Sequence, residues 1–260
     1  MTHPYTLHDT LIRLDGVAAT RGGRPVLRAV TACVRDIVRP DVANQGQVIA
    51  VLGPSGAGKT TLFRILAGLD APGGGRVEID GAPARAGRVG VVFQHYPLLE
   101  HRRVLGNLRV AGASEAEARA WLDRFGLADR ADAWPSELSG GQRQRVAILQ
   151  QLACGHTYLL MDEPFSGLDP EAKRQACALI TEVARLAERN TVLIVTHDLR
   201  EAVKVSDTLW LLGRDGAGAG STIVETYDLI ARELAWEPDI ERTPRFAAFV
   251  RELEDRFATL

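Results

Sequence analysis

Lysine is scarce in this 260-residue chain: only Lys59, Lys173 and Lys204 occur, and arginine supplies the rest of its 31 positive side chains. Acidic residues number 33, leaving a net charge of −2. A protein built to grip duplex nucleic acid carries a basic excess, and none is present, so no nucleic-acid partner is expected. Cysteine is equally sparse. Cys33, Cys154 and Cys177 are scattered without metal-ligand spacing, and their odd number excludes a disulfide scaffold and points to a reducing compartment. No run of 18 consecutive apolar residues exists, so the chain is not expected to span a bilayer by itself. The start, MTHPYTLHDT, lacks the charged head and apolar core of a signal peptide. Aromatic residues are few, with none between Tyr5 and Phe63. What remains, 46% apolar and 25% charged, is an ordinary globular balance, sized for one large domain or one domain with a subdomain.

Residues 10–17 and 26–35 read as strands around a Gly22-Gly23 turn. Val48–Gly53 is continuously apolar and then glycine-rich, the pattern of a buried parallel strand running into a loop. A helix over 58–69 follows, stopped by Gly68 and Pro72, and then short strands near 76–80 and 88–93. From about 96 to 156 helical spacing takes over, with Ser114 as an N-cap and Glu117 three residues on. Strand–helix alternation returns at 158–162, 169–188, 191–197 and 208–212, and 213–221 reads as a flexible turn. Alternation of this kind predicts an α/β protein with a mainly parallel sheet covered on both faces and an inserted helical subdomain.

GPSGAGKT fits G-x-x-x-x-G-K-[ST] and lies where the chemistry requires it, after a buried strand and before a helix. Gly53, Pro54, Ser55, Gly56, Ala57 and Gly58 would wrap backbone N–H groups around phosphates at the helix N-terminus, with Thr61 following. Lys59 would reach the β- and γ-phosphates, and the Thr60 hydroxyl would ligate Mg²⁺. Some hundred residues on, the strand YLLMD ends in Asp162, placed to hold Mg²⁺, and Glu163, placed to take a proton from an attacking water.

With LSGGQ at Leu138–Gln142, the chain resembles the ABC-type ATPases, the nucleotide-binding subunits of ATP-driven transporters. The resemblance runs from about residue 11 to 230 and is carried by GPSGAGKTT, Gln94, LSGGQRQRVA, LLMDEP, SGLD and VTHD in the family's order. It implies a P-loop NTPase with a mainly parallel sheet core, an N-terminal antiparallel β subdomain, a helical subdomain inserted at about 96–156, and a separate tail over 231–260. It implies ATP and Mg²⁺ as cofactors. By the same resemblance Gln94 contacts Mg²⁺ and water, and His197 contacts the γ-phosphate and the attacking water. Ser139, Gly140, Gly141 and Gln142 bind the γ-phosphate held by a second copy, and Asp169 crosses the dimer interface. One argument needs no family. A second phosphate-binding loop 80 residues from a complete P-loop is redundant inside one site, but two copies arranged head to tail use both, so a homodimer around two ATP is expected.

Departures from the family pattern carry information too. Relatives stack adenine on an aromatic residue just after the first strand; here that position falls on Arg21 or a neighbour, and the Arg21 guanidinium can stack on a base. Residues 36–45 lengthen the approach to Gly46 and read as a longer hairpin or surface loop. Leu149-Gln150-Gln151 stands where relatives carry Ala-Arg-Ala. The implied partners are a polytopic membrane permease, docked at the helical region and the HYPLLEHRR segment after Gln94, a second ATPase subunit and, through the complex, an extracytoplasmic solute-binding protein. The implied location is the cytoplasmic face of the inner membrane, peripheral through the permease. Pro135 before the signature, THDLREAVKVSDTLWLL and the short single-domain form resemble bacterial importers of the nitrate, taurine and sulfonate type. Exporter ATPases and soluble ABC ATPases of repair, chromosome organisation or translation are the competing readings. The latter carry long coiled coils or paired cassettes, which this sequence lacks. Phe246, Phe249, Val250, Leu253 and Phe257 form an apolar helical stripe expected to pack on the cassette or on a dimer mate.

Overall fold

A computed structural model describes residues 5–39, 45–237 and 239–260. The N-terminal third builds an antiparallel sheet. Strand β1 (Thr6–Arg21) turns back on β2 (Arg24–Val38) through Gly22 and Gly23, both at positive φ, which an L side chain adopts only under strain. β1 also pairs with β4 (Gly74–Ile79), and β4 with the short β5 (Ala82–Pro83), giving the order β2-β1-β4-β5. Both first strands exceed their sequence-based limits. Of the two alternatives for residues 36–45, a longer hairpin or a surface loop, residues 36–38 take the first: they continue β2 and pair with the start of β1, Ile37 opposite Leu7 and Val38 opposite Thr6. Polar Asp36 hides this extension from a periodicity reading. Residues 40–44 of the same segment lie outside the described residues.

The second sheet runs β10-β9-β3-β8-β7-β6. β3 (Gln47–Leu52), β8 (Thr191–Thr196), β7 (Tyr158–Asp162), β6 (Gly90–Val92) and β9 (Thr208–Gly213) are parallel, and β10 (Thr222–Asp228) closes one edge antiparallel to β9. All six residues of β3 and of β8 are buried, as strands covered on both faces must be. Alternate residues serve the two faces. Ile49, Val51, Leu193 and Val195 join Phe63 and Trp210 under the antiparallel sheet, whereas Val48, Ala50, Leu52 and Ile194 join the core beneath the helices. β10 was not expected from the sequence. Nor is the 213–221 segment simply a free turn. Ser221 is buried and exchanges backbone hydrogen bonds with β2, accepting from Arg28 N–H and donating to Val26 C=O at 2.8 Å each, so it stitches the two sheets together.

The middle of the chain is helical: α2 (Val104–Val110), α3 (Glu115–Arg124) and α4 (Gly140–Ala153). Ser114 caps α3 as its spacing predicts, accepting from Glu117 N–H while the Glu117 carboxylate accepts from Ser114 N–H. Asn107, fully buried on α2, donates to the carbonyls of Leu99, Arg102 and Arg103 and accepts from Leu99 N–H and Gln150 Nε2. One amide thus fixes the segment after Gln94 against α4. α5 (Pro170–Ala184) and α6 (Leu199–Val205) cover the parallel sheet on the face away from the antiparallel sheet, and their apolar residues share one core with those of α2 and α4. The terminal helix α7 (Pro244–Phe257) buries Phe246, Phe249, Val250 and Leu253 against α6 and Tyr227 of the same chain, the Tyr227 and Phe249 rings meeting edge-on at 5.4 Å. No helix among the described residues is long and apolar enough to cross a membrane.

Candidate functional site

The parallel register decides where chemistry can occur. Leu52 ends β3 opposite Thr196 of β8, and Asp162 ends β7 opposite Val195. Three loops therefore leave the sheet side by side at its carboxyl edge, where open α/β sheets bind ligands.

The loop after β3 runs from Gly53 to Gly58 and feeds α1 (Lys59–Leu66). Gly58 caps the helix at φ 91°, and a Cβ there would stand 2.8 Å from Val26 Cγ1 and 2.9 Å from Leu27 Cδ2. Conformation and space both require glycine at this position. Lys59 is buried, and its ammonium donates to the Gly53 and Pro54 carbonyls at 2.7 and 3.2 Å. Burial pushes its pKa down, opposed by the charges of Glu163 and Asp162. The loop thus curls around its own lysine, which stands 3.9 Å from Glu163 Oε1.

Glu163 follows β7 at φ 47°, a left-handed conformation that non-glycine residues adopt at a cost. The twist aims its carboxylate back across the sheet. Oε2 accepts from the Thr196 hydroxyl at 3.0 Å and from His197 N–H at 3.3 Å, and His197 Nδ1 lies 3.0 Å from both carboxylate oxygens. The His197 ring is otherwise largely exposed, whereas Glu163 is mostly covered. Asp162 is half-buried, and desolvation, reinforced by Glu163, raises its pKa. A carboxylate so disfavoured as an anion is suited to a cation. With the Thr60 hydroxyl and the Gln94 amide oxygen it offers only hard oxygen donors, which fits Mg²⁺ taking its other ligands from phosphate and water. Gln94, just beyond β6, donates to Ser166 Oγ at 3.2 Å on the loop that Glu163 begins.

The structure thus brings Lys59, Glu163 and His197 together, with Asp162 beside them and Gln94 on the adjoining loop. It leaves the signature residues 139–142, Asp169 and Arg21 apart from this cluster. Ser139 caps α4, accepting from Gln142 N–H at 3.3 Å while the Gln142 side chain accepts from Ser139 N–H at 3.0 Å. Space beside Gly140 and Gly141 is open. Among the described residues no hydrogen bond or ion pair links residues 139–142 to the loop 53–61. Asp169 caps α5, accepting from Glu171 and Ala172 N–H at 2.9 Å. Arg21 pairs with Asp70 at the far end of α1.

Two participants escaped sequence reasoning. Thr196 holds the Glu163 carboxylate, and Gln144 of α4 donates to Pro164 C=O at 3.1 Å, tying α4 to the residue after Glu163. Thr196 lay inside the quoted VTHD, so a threonine at a strand end one residue before the histidine was an available signal.

A family model described as ABC transporter matches residues 42–166. The chain is 40% identical over 263 aligned residues to the aliphatic sulfonates import ATP-binding protein of Pseudomonas fluorescens, covering 99% of this chain and 90% of that one. It is 36% identical to a methionine import ATP-binding protein of Cereibacter sphaeroides, over 86% of this chain and 65% of the relative. Among solved structures, a dimeric ATP-binding cassette, MJ0796, in a post-hydrolysis state with ADP and Pi superposes with a TM-score of 0.65 at 26% identity, covering 84% of this chain and 99% of that chain.

Proposed function

The chain belongs to the ABC transporter family of ATP-binding subunits, an Mg²⁺-dependent ATPase, and from that premise we propose that it powers solute import. The relatives named above import aliphatic sulfonates and methionine, so a small organic solute is the proposed cargo class. The unit doing the work is residues 11–230, with the helical region of about 96–156 as an insertion and 231–260 as a tail packed on it.

In this reading the glycine-rich loop and Lys59 bind the triphosphate. Thr60, Asp162 and Gln94 would hold Mg²⁺, which would supply neutralising charge at the phosphates. Glu163 accepts the proton of the attacking water. Thr196 and His197 fix its carboxylate, and the exposed edge of the imidazole faces the γ-phosphate. Arg21 faces the base. The Ser139 hydroxyl, whose oxygen already accepts from Gln142, keeps its proton free to donate to a phosphate. The open N–H groups at the start of α4 stand ready beside it. In one chain no bond connects that loop to Lys59, so a second copy supplies it, with Asp169 at the interface. A polytopic permease docks at the helical region and the segment after Gln94, which places the ATPase peripherally at the cytoplasmic face and connects it to any solute-binding protein on the other side.

The observation carrying this reading is the convergence of Lys59, Glu163, Thr196 and His197 at one sheet edge, while the space beside Gly140 and Gly141 of the signature loop is open. The test is affinity purification of tagged Glu163→Gln from gently solubilised membranes with MgATP. Recovery of two ATPase copies with a polytopic membrane protein is expected. Recovery of soluble partners alone would overturn the transporter assignment.

A further inference from the structure

The position that would meet the nucleotide base carries a guanidinium, and a guanidinium on a flexible stem stacks well only if its plane is held. Arg21 ends β1 immediately before the Gly22-Gly23 turn. One terminal nitrogen is bound by the Asp70 carboxylate, and the side chain is otherwise 54% exposed. Asp70 is itself fixed. It lies just past α1, where Gly68 reverses the chain at φ 67°, and it accepts from Arg64 Nε at 2.8 Å and Arg64 Nη2 at 3.0 Å. This two-point fork sets the carboxylate plane. Arg64 is a residue of the same helix whose N-terminus carries Lys59. The hydrogen bonds from Arg64, with those from Arg21, hold the Asp70 carboxyl down at about 2, so it stays ionised throughout the neutral range.

Thr20, Arg21 and Asp70 line one cavity of about 460 Å³ with Thr61 and Ile65 of α1. Thr61 directly follows the phosphate loop, so the cavity joins the phosphate end of a bound nucleotide to Arg21. The ion pair uses an edge of the guanidinium and leaves its faces free, and stacking uses a face.

We propose that Asp70 is a positioning residue for nucleotide binding: anchored by Arg64, it grips the Arg21 guanidinium by one edge and presents its face to the purine base. The proposal rests on the reading of Arg21 as the base contact. It makes base recognition depend on a relay, Arg64–Asp70–Arg21, that begins on the phosphate-binding helix.

The test compares Asp70→Asn, Asp70→Glu, Arg21→Ala and the double variant Arg21→Ala/Asp70→Asn in the full chain. The readouts are KM for MgATP and the inhibition constant of magnesium tripolyphosphate, which has no base. Losing one exposed stacking contact predicts a rise in KM of about threefold to fivefold for Asp70→Asn and for Arg21→Ala. The double variant is expected no worse than the poorer single, Asp70→Glu is expected to recover part of the loss, and tripolyphosphate inhibition is expected to stay within twofold. A full additional loss in the double variant, or an equal loss toward tripolyphosphate, would overturn the relay. If Arg21→Ala raises KM but Asp70→Asn does not, the base contact stands and the relay falls. If Arg21→Ala itself leaves KM unchanged, the base contact falls and the relay with it.

Discussion

Replacing Glu163 by glutamine tests the proposed chemistry most directly, because the amide keeps the side chain's shape while removing its basicity. One oxygen remains to accept from Thr196 Oγ1 or His197 N–H, so the geometry at φ 47° persists. What disappears is a group able to take the proton from water. General-base catalysis is worth roughly 10²–10⁴-fold, so the barrier should rise by about 3–5 kcal/mol. Ground-state binding should respond in the opposite sense. Glu163 stands 3.9 Å from Lys59, a separation at which two unit charges interact by about 4 kcal/mol at an effective dielectric near 20. Neutralising it frees Lys59 for phosphate and removes a negative charge facing the triphosphate. Phosphate release at saturating MgATP should therefore fall by two to four orders of magnitude on that catalytic scale, while equilibrium binding of a fluorescent ATP analogue holds or tightens. Turnover within tenfold of the parent would refute Glu163 as the base. His197→Ala adds a consistency check: because His197 acts through the same carboxylate and water, the double variant should be no slower than the slower single.

Three further outcomes follow from packing and charge. Asn107→Ala should cost about 3–5 kcal/mol in urea denaturation, because it strands buried partners of Asn107, including Leu99 N–H and Gln150 Nε2; a loss below about 1 kcal/mol would reject the amide as the organiser of that segment. Phe249→Ala, by opening a cavity under α7, should cost about 3–5 kcal/mol, and a neutral result would mean the tail does not belong to this core. Asp207 is buried, bonded to Val48 N–H, Arg39 and Trp236 Nε1 with Asp228 nearby, and desolvation lifts its pKa to about 6. From about pH 4 to 6 the folded state holds a proton that the unfolded chain releases, so this group's contribution to stability falls as pH rises. Asp207→Asn abolishes that dependence, and its unfolding free energy relative to the parent should improve by about 2 kcal/mol across the window; parallel curves would refute the assignment.

Much of the site was legible because its signals are local. A glycine loop between an apolar strand and a helix, two carboxylates ending another strand, and Ser114 three residues before Glu117 each place their partners within a few positions. The sequence also predicted the apolar stripe of α7, although not the face of the chain that receives it. What stayed hidden joins residues far apart. Asp70 reaches Arg21 across 49 positions and Gln150 reaches Asn107 across 43, and neither spacing repeats with any helical or strand period. The Asp36 polar interruption concealed that β2 continues to Val38, and Thr222–Asp228, which shows no clean alternation, is a strand paired antiparallel along the edge of β9.

The sequence by itself therefore determined which groups are available: a glycine-rich loop, its lysine, two carboxylates ending a strand, a histidine and the LSGGQ segment, each written in a short stretch whose conformation follows from its own residues. The tertiary structure alone decided how these are shared. Parallel register set Asp162 opposite Val195 and Leu52 opposite Thr196, which put Lys59, Glu163 and His197 within reach of one another. It also left Ser139–Gln142 open on a separate helix. Which side chains meet depends on strand order and helix packing, free-energy terms that sum over the whole core and are not encoded in any single segment.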